Sequence, residues 1–212
     1  MHALIVAGGT PPTKKLLEQE IQQADLLIGA DSGGHVFLGH GFTPDIVIGD
    51  LDSFVYTRHE GINVLEDPDQ ETNDLEKALA YALKRGSISC VILGALGKRI
   101  DQTMKNVSVL QQFWSRFEDI RFRDDYGDTF LVESPYKPNY PVGTMISFFP
   151  VRNPVEEFTS SGVLYPLTNS ILEMGGLDGT SNEITEEEVT ITFNDGFLGV
   201  FVGNGEKMKR ER

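Results

Sequence analysis

The sequence is poor in cysteine and has no long apolar run. Cys90 is the only cysteine among the 212 residues, so no disulfide forms within the chain, which fits a reducing, cytoplasmic location. No segment approaches the ~18 continuous apolar residues of a membrane-spanning helix, so no membrane association is expected. The first residues show no basic region followed by an apolar segment and a cleavage site, so secretion is not expected.

Positive charge is also scarce, with 18 Lys and Arg against 32 Asp and Glu and a net charge of −14. Because binding to nucleic acid needs clustered Lys and Arg, no nucleic-acid partner is expected. The one basic cluster is predicted to be a frayed, solvated tail, and it consists of Lys207, Lys209, Arg210 and Arg212. The apolar content of 40% is ordinary for a globular protein with a real core.

Short apolar runs alternate with helical patterns over the first part of the chain. Four runs, residues 3–7, 26–30, 46–48 and 91–93, predict buried strands. One helical stripe, Leu75, Leu79, Ala82 and Leu83, ends at Gly86, and a second consists of Ile100, Met104, Val107, Leu110, Trp114 and Phe117. Both stripes are expected to face the core. Strands separated by helices predict an α/β domain with a parallel sheet over residues 1–135.

The rhythm changes near residue 135, where Pro135, Pro138 and Pro141 break any helix. Only strand patterns follow, and residues 189–193 and 197–201 flank an Asn194-Asp195-Gly196 turn that predicts a hairpin. Residues 136–212 are therefore expected to form a small antiparallel all-β sandwich domain. Because so small a sheet buries little surface, we expect it to pack on a partner in a symmetric homodimer.

Acidic and glycine-rich segments follow the apolar runs, at the edge of a parallel sheet where ligands bind. They are Asp31-Ser32-Gly33-Gly34, Asp50-Leu51-Asp52, Asp69-Gln70-Glu71-Thr72-Asn73-Asp74 and Gly94-Ala95-Leu96-Gly97-Lys98-Arg99-Ile100-Asp101. Each segment alone also fits a simpler structure. The Asp pair fits a solvated turn, the paired glycines fit plain turns, and Asn73, Asp74 and Asp101 fit helix caps.

Together the segments indicate a specific chemistry. Carboxylates hold Mg²⁺, glycine loops and helix N-termini accept phosphate oxygens, and the Lys98-Arg99 pair neutralises charge on a transferring group. This equipment suits phosphoryl-type transfer from a nucleotide. The Walker A motif and a Gly-x-Gly-x-x-Gly motif after the first strand are both absent, which disfavours a P-loop enzyme and a dinucleotide oxidoreductase.

These motifs resemble those of the thiamine pyrophosphokinase family along nearly the whole chain. The segment Pro44-Asp45-Ile46-Val47-Ile48-Gly49-Asp50-Leu51-Asp52-Ser53 is similar to the family's most specific signature. The other three acidic segments also resemble family motifs, as do the Gly162–Leu167 segment and Thr180-Ser181-Asn182. Three residues depart from the family pattern: Asn73 replaces Thr, Lys98 replaces a second Gly, and Gln102 replaces the usual His.

The resemblance implies an α/β nucleotide-binding domain, a β-sandwich domain, and a homodimer with active sites between subunits. It implies Mg²⁺-dependent transfer of the pyrophosphate of ATP to the hydroxyl of thiamine, which yields thiamine diphosphate and AMP. Two alternatives stay open: a pyrophosphokinase for another hydroxylated heterocycle, and a non-catalytic thiamine-binding sensor. A metal-dependent hydrolase that uses the same carboxylates is a third.

The resemblance also implies roles for individual residues. Asp50, Asp52 and Asp74 would bind Mg²⁺, and Asp31 and Asp69 would support that shell or a second ion. Arg99 and Lys98 would face phosphate oxygens, while Asp101 would orient Arg99 or contact the acceptor hydroxyl. Ser181 and Asn182 would bind the aminopyrimidine, and Tyr165 would either stack on a ring or belong to the core. The remaining expected ligand-binding residues are Ser32, Gly33, Gln70, Asn73 and Thr180.

Overall fold

The computed structural model describes residues 1–54 and 61–205. The chain divides into two compact units, Met1–Asp124 and Asp125–Arg212. The sequence pattern placed the domain boundary later, at residue 135, where the proline cluster lies. The strand that follows Asp124 already belongs to the second unit, although it precedes those prolines. The basic tail at residues 207–212 lies outside the described residues.

The first unit is a parallel sheet with helices between its strands. Its elements are β1 (His2–Val6), α1 (Lys14–Ile21), β2 (Leu26–Ala30), α2 (Gly33–Gly39), β3 (Ile46–Gly49), β4 (Val64–Glu66), α3 (Asp74–Lys84), β5 (Ser89–Leu93), α4 (Ile100–Phe113) and β6 (Asp119–Arg123). A short 3-10 turn, Trp114–Arg116, extends α4. Within this unit the strand order is β6-β5-β1-β2-β3-β4, and every pairing is parallel.

The central strand β1 is buried on both of its faces. Leu4 and Val6 pack in one cluster with Leu17 of α1 and Phe37 of α2. The side chain of Ile5 alternates with them and is also fully buried, so helices cover both faces of the sheet. The four apolar runs of the sequence therefore form buried parallel strands, and the predicted α/β class is confirmed.

The helices begin at residues whose side chains cap them. The Thr13 hydroxyl accepts a hydrogen bond from the backbone N–H of Leu16 at the start of α1. At α3, Asn73 and Glu76 form a reciprocal capping box, and α3 ends before Gly86, whose φ is +87°. The sequence indicated the cap at Asn73 and the helix end at Gly86, because each signal needs only local residues.

The prediction for the buried face of α4 was wrong in part. Ile100 is 73% exposed and Met104 is 47% exposed, although the apolar spacing placed both in the core. Leu110 and Phe117 of the predicted stripe are buried as expected, and the other buried residues of α4 are Asn106, Val109 and Phe113. Asn106 is polar but has hydrogen-bond partners inside the unit, so the buried stripe includes a residue that apolar periodicity cannot reveal.

The second unit is an antiparallel β-sandwich. Its strands are β7 (Gly127–Val132), β8 (Met145–Pro150), β9 (Val155–Ser161), β10 (Ser170–Leu172), β11 (Gly179–Glu183), β12 (Thr190–Thr192) and β13 (Leu198–Gly203). One sheet has the order β11-β8-β13-β7 and the other β10-β9-β12. Apolar side chains of both sheets form one core, in which the rings of Phe148 and Phe158 lie 5.5 Å apart. The predicted sandwich class is confirmed.

The predicted hairpin was wrong. β12 pairs with β9 in the three-stranded sheet, whereas β13 pairs with β7 and β8 in the other sheet. The Asn194-Asp195-Gly196 turn does exist, and Gly196 has a φ of +98°. The turn carries the chain from one sheet to the other, because period-two alternation reveals a strand but not its partner.

Every helix within residues 1–54 and 61–205 is too short or too polar to cross a lipid bilayer.

Candidate active site

A cavity of about 390 Å³ lies in the first unit, where its parallel strands end. Segments that follow β1, β2, β3 and β5, together with the start of α3, line it. Their cavity-lining residues include Gly8, Gly9, Asp31, Ser32, Asp50, Asp52, Asn73, Asp74, Gly97, Lys98, Arg99 and Gln102. Because carboxyl ends of parallel strands share one edge of a sheet, segments distant in sequence meet here.

Three carboxylates converge in this cavity. Asp31, Asp50 and Asp74 each offer an oxygen within 4.8 Å of the others. Asp31 is 6% exposed and has a φ of +43°, a left-handed conformation that Asp tolerates. Its Oδ1 accepts a hydrogen bond of 3.0 Å from the backbone N–H of Phe54. These contacts fix the Asp31 side chain at the end of β2. We refer to the three residues as the acid cluster.

Gly49 makes room for the acid cluster at the end of β3. A Cβ atom at this position would lie 2.9 Å from Cβ of Asp31 and 2.9 Å from Oδ1 of Asp74. Any side chain here would therefore push the two acids out of place. Glycine is therefore needed at position 49 to leave room for the carboxylates.

The electrostatic environment of Asp74 is unfavourable for its charge. Burial raises the pKa of this carboxyl first, and the charges of Asp31 and Asp50 raise it further. Lys77 lowers the pKa of Asp74, with its Nζ 3.7 Å from Oδ1, but does not cancel the rise. A divalent cation would remove this repulsion. The oxygen-only donor set, with three carboxylates within 4.8 Å of one another, fits Mg²⁺.

Asp52 was predicted to bind a metal with Asp50 and Asp74, and this role stays a prediction. It lines the cavity but lies outside the acid cluster, where Asp31 stands instead. The backbone N–H of Asp52 donates to Oδ1 of Asp50 at 3.2 Å, and its own Oδ1 accepts from the Ser53 hydroxyl at 2.8 Å.

The segments after β1 and β5 approach each other closely on the cavity wall. A Cβ at Gly9 would lie 2.4 Å from the carbonyl oxygens of Gly94 and Leu96. Lys98 has a φ of +56°, and its Nζ donates a 2.8 Å hydrogen bond to the carbonyl oxygen of Gly8. An ammonium group therefore joins the two glycine segments. This left-handed conformation at Lys98 is one that glycine adopts without strain.

Arg99 and Asp101 form an exposed ion pair at the start of α4. Nε of Arg99 donates to Oδ1 of Asp101 at 3.1 Å, and a second bond runs from the guanidinium to Oδ2. The pair lowers the pKa of the Asp101 carboxyl. Arg99 lines the cavity, so Asp101 holds a guanidinium at its wall.

The third acidic segment contributes only part of its residues to the cavity. Asn73 lines it, and its side-chain amide donates to Oδ1 of Asn106 at 3.0 Å. Asp69 accepts bonds from the Thr72 hydroxyl at 2.6 Å and from a backbone N–H, which lower the pKa of its carboxyl. Gln70 donates to a carbonyl oxygen two residues earlier. Asp69 and Gln70 are thus engaged in the turn before α3.

Two buried polar residues near the cavity escaped sequence reasoning. Asn106 of α4 donates to the carbonyl oxygen of Ala95 at 2.7 Å and so connects the β5 segment with Asn73. Lys77 follows Asp74 by one helical turn, a spacing that places both on one face of α3. That spacing was readable, whereas the partner of Asn106 lies 33 residues away.

The glycines and Ser32 at the end of β2 serve packing. A Cβ at Gly33 would lie 1.8 Å from the carbonyl oxygen of Val6, so α2 can pack on β1 only because this residue is glycine. A Cβ at Gly8 would likewise meet the Ser32 hydroxyl oxygen at 2.4 Å. Ser32 and Gly8 both line the cavity, so their close packing shapes its wall.

The expected ligand-binding residues of the second unit cluster around Asn182. This side chain is 3% exposed, and its amide bonds both the N–H and the carbonyl oxygen of Tyr165, at 3.0 and 2.9 Å. The Tyr165 side chain is 57% exposed and so is not part of the core. Ser181 has a φ of +57°, and the Thr180 hydroxyl donates to Asp178 at 2.7 Å. Asn182 therefore presents Tyr165 on the surface.

The fold and site together define a protein of two units, one a parallel α/β unit with an acid-lined cavity and the other an antiparallel β-sandwich. Family models identify it further. The thiamin pyrophosphokinase catalytic domain matches residues 17–123, and the thiamin pyrophosphokinase vitamin B1 binding domain matches residues 135–198. The chain belongs to the thiamin pyrophosphokinase family.

Individual relatives agree with this assignment. Thiamine pyrophosphokinase 3 of Oryza sativa is 31% identical over 168 residues, which cover 71% of this chain and 62% of the relative. Thiamine pyrophosphokinase 1 of the same plant is 29% identical and is covered to 63%. The chain thus spans less than two thirds of the length of these plant relatives. The Bacillus subtilis thiamine pyrophosphokinase is 27% identical over 207 residues, which cover 92% of this chain and 94% of that protein.

Solved structures share the fold along the chain. The crystal structure of thiamin pyrophosphokinase from Geobacillus thermodenitrificans has a TM-score of 0.79 and 25% identity, with 98% of this chain and 99% of that chain covered. The yeast thiamin pyrophosphokinase structure has a TM-score of 0.82 at 15% identity and covers 95% of this chain. At that identity the yeast structure supports the fold alone.

Proposed function

We propose that this protein is a thiamine diphosphokinase, which transfers the terminal diphosphate of ATP to the hydroxyl of thiamine and releases AMP. The matches to both family domains and the names of the relatives support the substrates. The observation that carries the proposal is the convergence of Asp31, Asp50 and Asp74 in one cavity that Lys98 and Arg99 also line.

The acid cluster would hold Mg²⁺, with Asp50 and Asp74 as ligands and Asp31 beside them. Asp52 lies on the same cavity wall and remains a proposed contributor to metal binding. The bound ion would neutralise charge on the triphosphate, which is the main requirement of a loose phosphoryl-transfer transition state. Asp69, outside this cavity wall, would support the site by holding the turn before α3.

Lys98 and Arg99, which also line the cavity and are positively charged, would neutralise the charge of phosphate oxygens. The Arg99–Asp101 ion pair supports a role for Asp101 in orienting the guanidinium. The hydroxyl oxygen of thiamine would attack the β-phosphorus of ATP as the bond from this phosphorus to the AMP oxygen breaks. The hydroxyl proton leaves to solvent or to a carboxylate, since no strong base is needed.

The second unit would bind thiamine, with the exposed Tyr165 ring facing the cationic thiazolium. Thr180, Ser181 and Asn182 would contact the aminopyrimidine or shape the surface that does. The match of residues 135–198 to a vitamin B1 binding domain supports this division of roles. We also propose a cytoplasmic homodimer, and light scattering after gel filtration would measure its mass.

The deciding experiment is incubation with ATP, Mg²⁺ and thiamine, followed by detection of thiamine diphosphate and AMP. Omission of each component and addition of EDTA should each abolish the product, and the Asp50→Asn variant should form it at least about 100-fold more slowly. Glu187→Gln, an exposed acid of the second unit, is the matched control and should leave the rate unchanged.

Other results would identify a different protein. Transfer to another hydroxylated heterocycle, and not to thiamine, would change the substrate. Phosphate release without an acceptor would indicate a hydrolase. Thermal stabilisation by thiamine with no ATP turnover would indicate a sensor.

A further inference from the structure

A lysine is buried beside the acid cluster. The side chain of Lys77, in α3, is only 4% exposed, and its Nζ lies 3.7 Å from Oδ1 of Asp74. The same nitrogen donates a 2.7 Å hydrogen bond to the carbonyl oxygen of Asp67. Burial of an ammonium group is costly unless nearby groups compensate its charge. The position of this charge therefore needs an explanation within the site.

Lys77 joins the segments that carry the cluster. The backbone N–H of Asp67, just after β4, donates to the carbonyl oxygen of Gly49 at 2.8 Å. Gly49 is the residue against which Asp31 and Asp74 pack. A single ammonium group thus contacts Asp67, just after β4, and Asp74 at the start of α3.

The other acid of this turn does not explain Lys77. Glu76 is also buried, but Lys105 pairs with it at 2.8 Å. In the described part of the chain, Asp74 is the one carboxylate that forms an ion pair with Lys77, and a weaker attraction from Lys77 lowers the pKa of Asp69. The charge of Lys77 therefore acts on the acid cluster.

The charges of this group add up simply. Three carboxylates and one ammonium carry a net charge of −2, which one divalent cation brings to zero. Without the ammonium, one divalent cation would leave an uncompensated negative charge. The cluster would then attract free cations more strongly, because charges a few ångströms apart interact by several kcal/mol inside a protein.

We propose that the charge of Lys77 acts through the acid cluster. It brings the net charge of the cluster to the value that one divalent cation neutralises, and it lowers the affinity of the cluster for free Mg²⁺. This inference rests on the proposed metal site. It goes beyond that site because it assigns a buried residue of opposite charge to the control of metal affinity. A cluster that binds free ion weakly depends on the nucleotide's phosphate oxygens to complete the metal site.

Mg²⁺ titration without nucleotide, by calorimetry at pH 7.5, tests the proposal. Lys77→Met should bind Mg²⁺ at least roughly 10-fold more tightly than the wild-type protein, because the substitution removes a positive charge that repels the doubly charged ion. Lys77→Arg keeps the charge and should bind within about threefold of wild type. Lys77→Gln removes the charge but keeps a donor for Asp67, so it should follow Lys77→Met.

The sign of the change separates this role from a purely structural one. If Lys77 only held Asp74 in place, Lys77→Met would bind Mg²⁺ more weakly or not at all, and that result would overturn the inference. Lys84→Met, an exposed lysine in the last turn of the same helix, is the matched control and should show no change. Failure of the wild-type protein itself to bind Mg²⁺, with or without ATP, would instead refute the proposed metal site and the inference with it.

Discussion

Replacement of Asp74 by Asn should make the metal-free protein more stable. The Asp74 carboxylate lies within 4.8 Å of those of Asp31 and Asp50. Two unit charges about 5 Å apart repel by roughly 3 kcal/mol at an effective dielectric constant of about 20. Two such pairs oppose folding by roughly 6 kcal/mol, and the attraction between Asp74 and Lys77 offsets roughly 4 kcal/mol of this.

About 2 kcal/mol of repulsion remains in this account. Because the Asp74 side chain is 34% exposed, solvent screening reduces the expected gain for Asp74→Asn to about 1 kcal/mol. For a chain of this size that gain raises the melting temperature by about 2–4 °C. Differential scanning fluorimetry in EDTA at pH 7.5 measures it.

The pH dependence provides an internal check on the sign. Because the pKa of Asp74 is raised in the folded protein, its charge destabilises folding above that pKa. The penalty decreases as the pH falls through the folded pKa and is gone below the ordinary value near 3.8. The advantage of Asp74→Asn over wild type should therefore be full at pH 7.5 and shrink towards pH 4.

Magnesium should reverse the order of the two proteins. At 100 times its dissociation constant a ligand stabilises the folded state by about 2.7 kcal/mol, and the variant has lost a proposed ligand for the ion. Wild type should then melt above Asp74→Asn. A variant that is less stable than wild type in EDTA, or that gains as much from Mg²⁺, would refute the electrostatic account of the cluster.

Five further substitutions test other parts of the site. Asp50→Asn should lower the transfer rate at least about 100-fold, as expected when a charge that acts on a transferring group is removed. Asp52→Asn should lower the rate less, because Asp52 lies outside the acid cluster. Equal losses of rate in the two variants would contradict this order. Gly49→Ala should weaken Mg²⁺ binding and lower the melting temperature, since its Cβ meets two acids, and an unchanged titration curve would disprove the steric argument. Lys98→Gly should stabilise the protein by about 1 kcal/mol, measured by urea unfolding, because it removes a lysine from a left-handed conformation. The same variant should raise the KM for ATP. A loss of stability would show that the hydrogen bond from Lys98 to Gly8 matters more than the backbone conformation. Asn182→Ala should raise the KM for thiamine and leave the KM for ATP unchanged, which steady-state kinetics would show; an equal rise in both would count against a thiamine-specific role.

Local signals in the sequence were enough for the fold class. Buried parallel strands such as β1 and β3 are runs of apolar residues, with His2 at the start of β1 the exception. A capping box such as the one at Asn73 involves residues three apart, so both features are readable without a structure. The hairpin prediction at Asn194 was wrong because pairing is a long-range property. The strand before this turn found its partner in β9, about 30 residues earlier in the chain.

The site shows the same limit. Its acids were predicted as site residues because they follow apolar strands or begin a helix, but their grouping was not predicted. Asp50 and Asp52 looked like a pair because they are close in sequence, whereas Asp31 joins Asp50 because β2 and β3 are adjacent strands in the sheet. The burial of Lys77 was not predicted, because a lysine side chain on a helix normally lies in solvent.

Asp31 illustrates why the stability of the site and its proposed function oppose each other. Its left-handed backbone costs free energy, and its closeness to Asp74 raises the pKa of that carboxyl, so the charge of Asp74 opposes folding in the protein without a cation. The parallel sheet of the first unit holds the acids together despite this cost, because β2 and β3 are fixed by a buried core that does not depend on the cavity. The repulsion is then available to favour a cation, so the affinity for Mg²⁺ reflects how well the sheet resists separation of its acids.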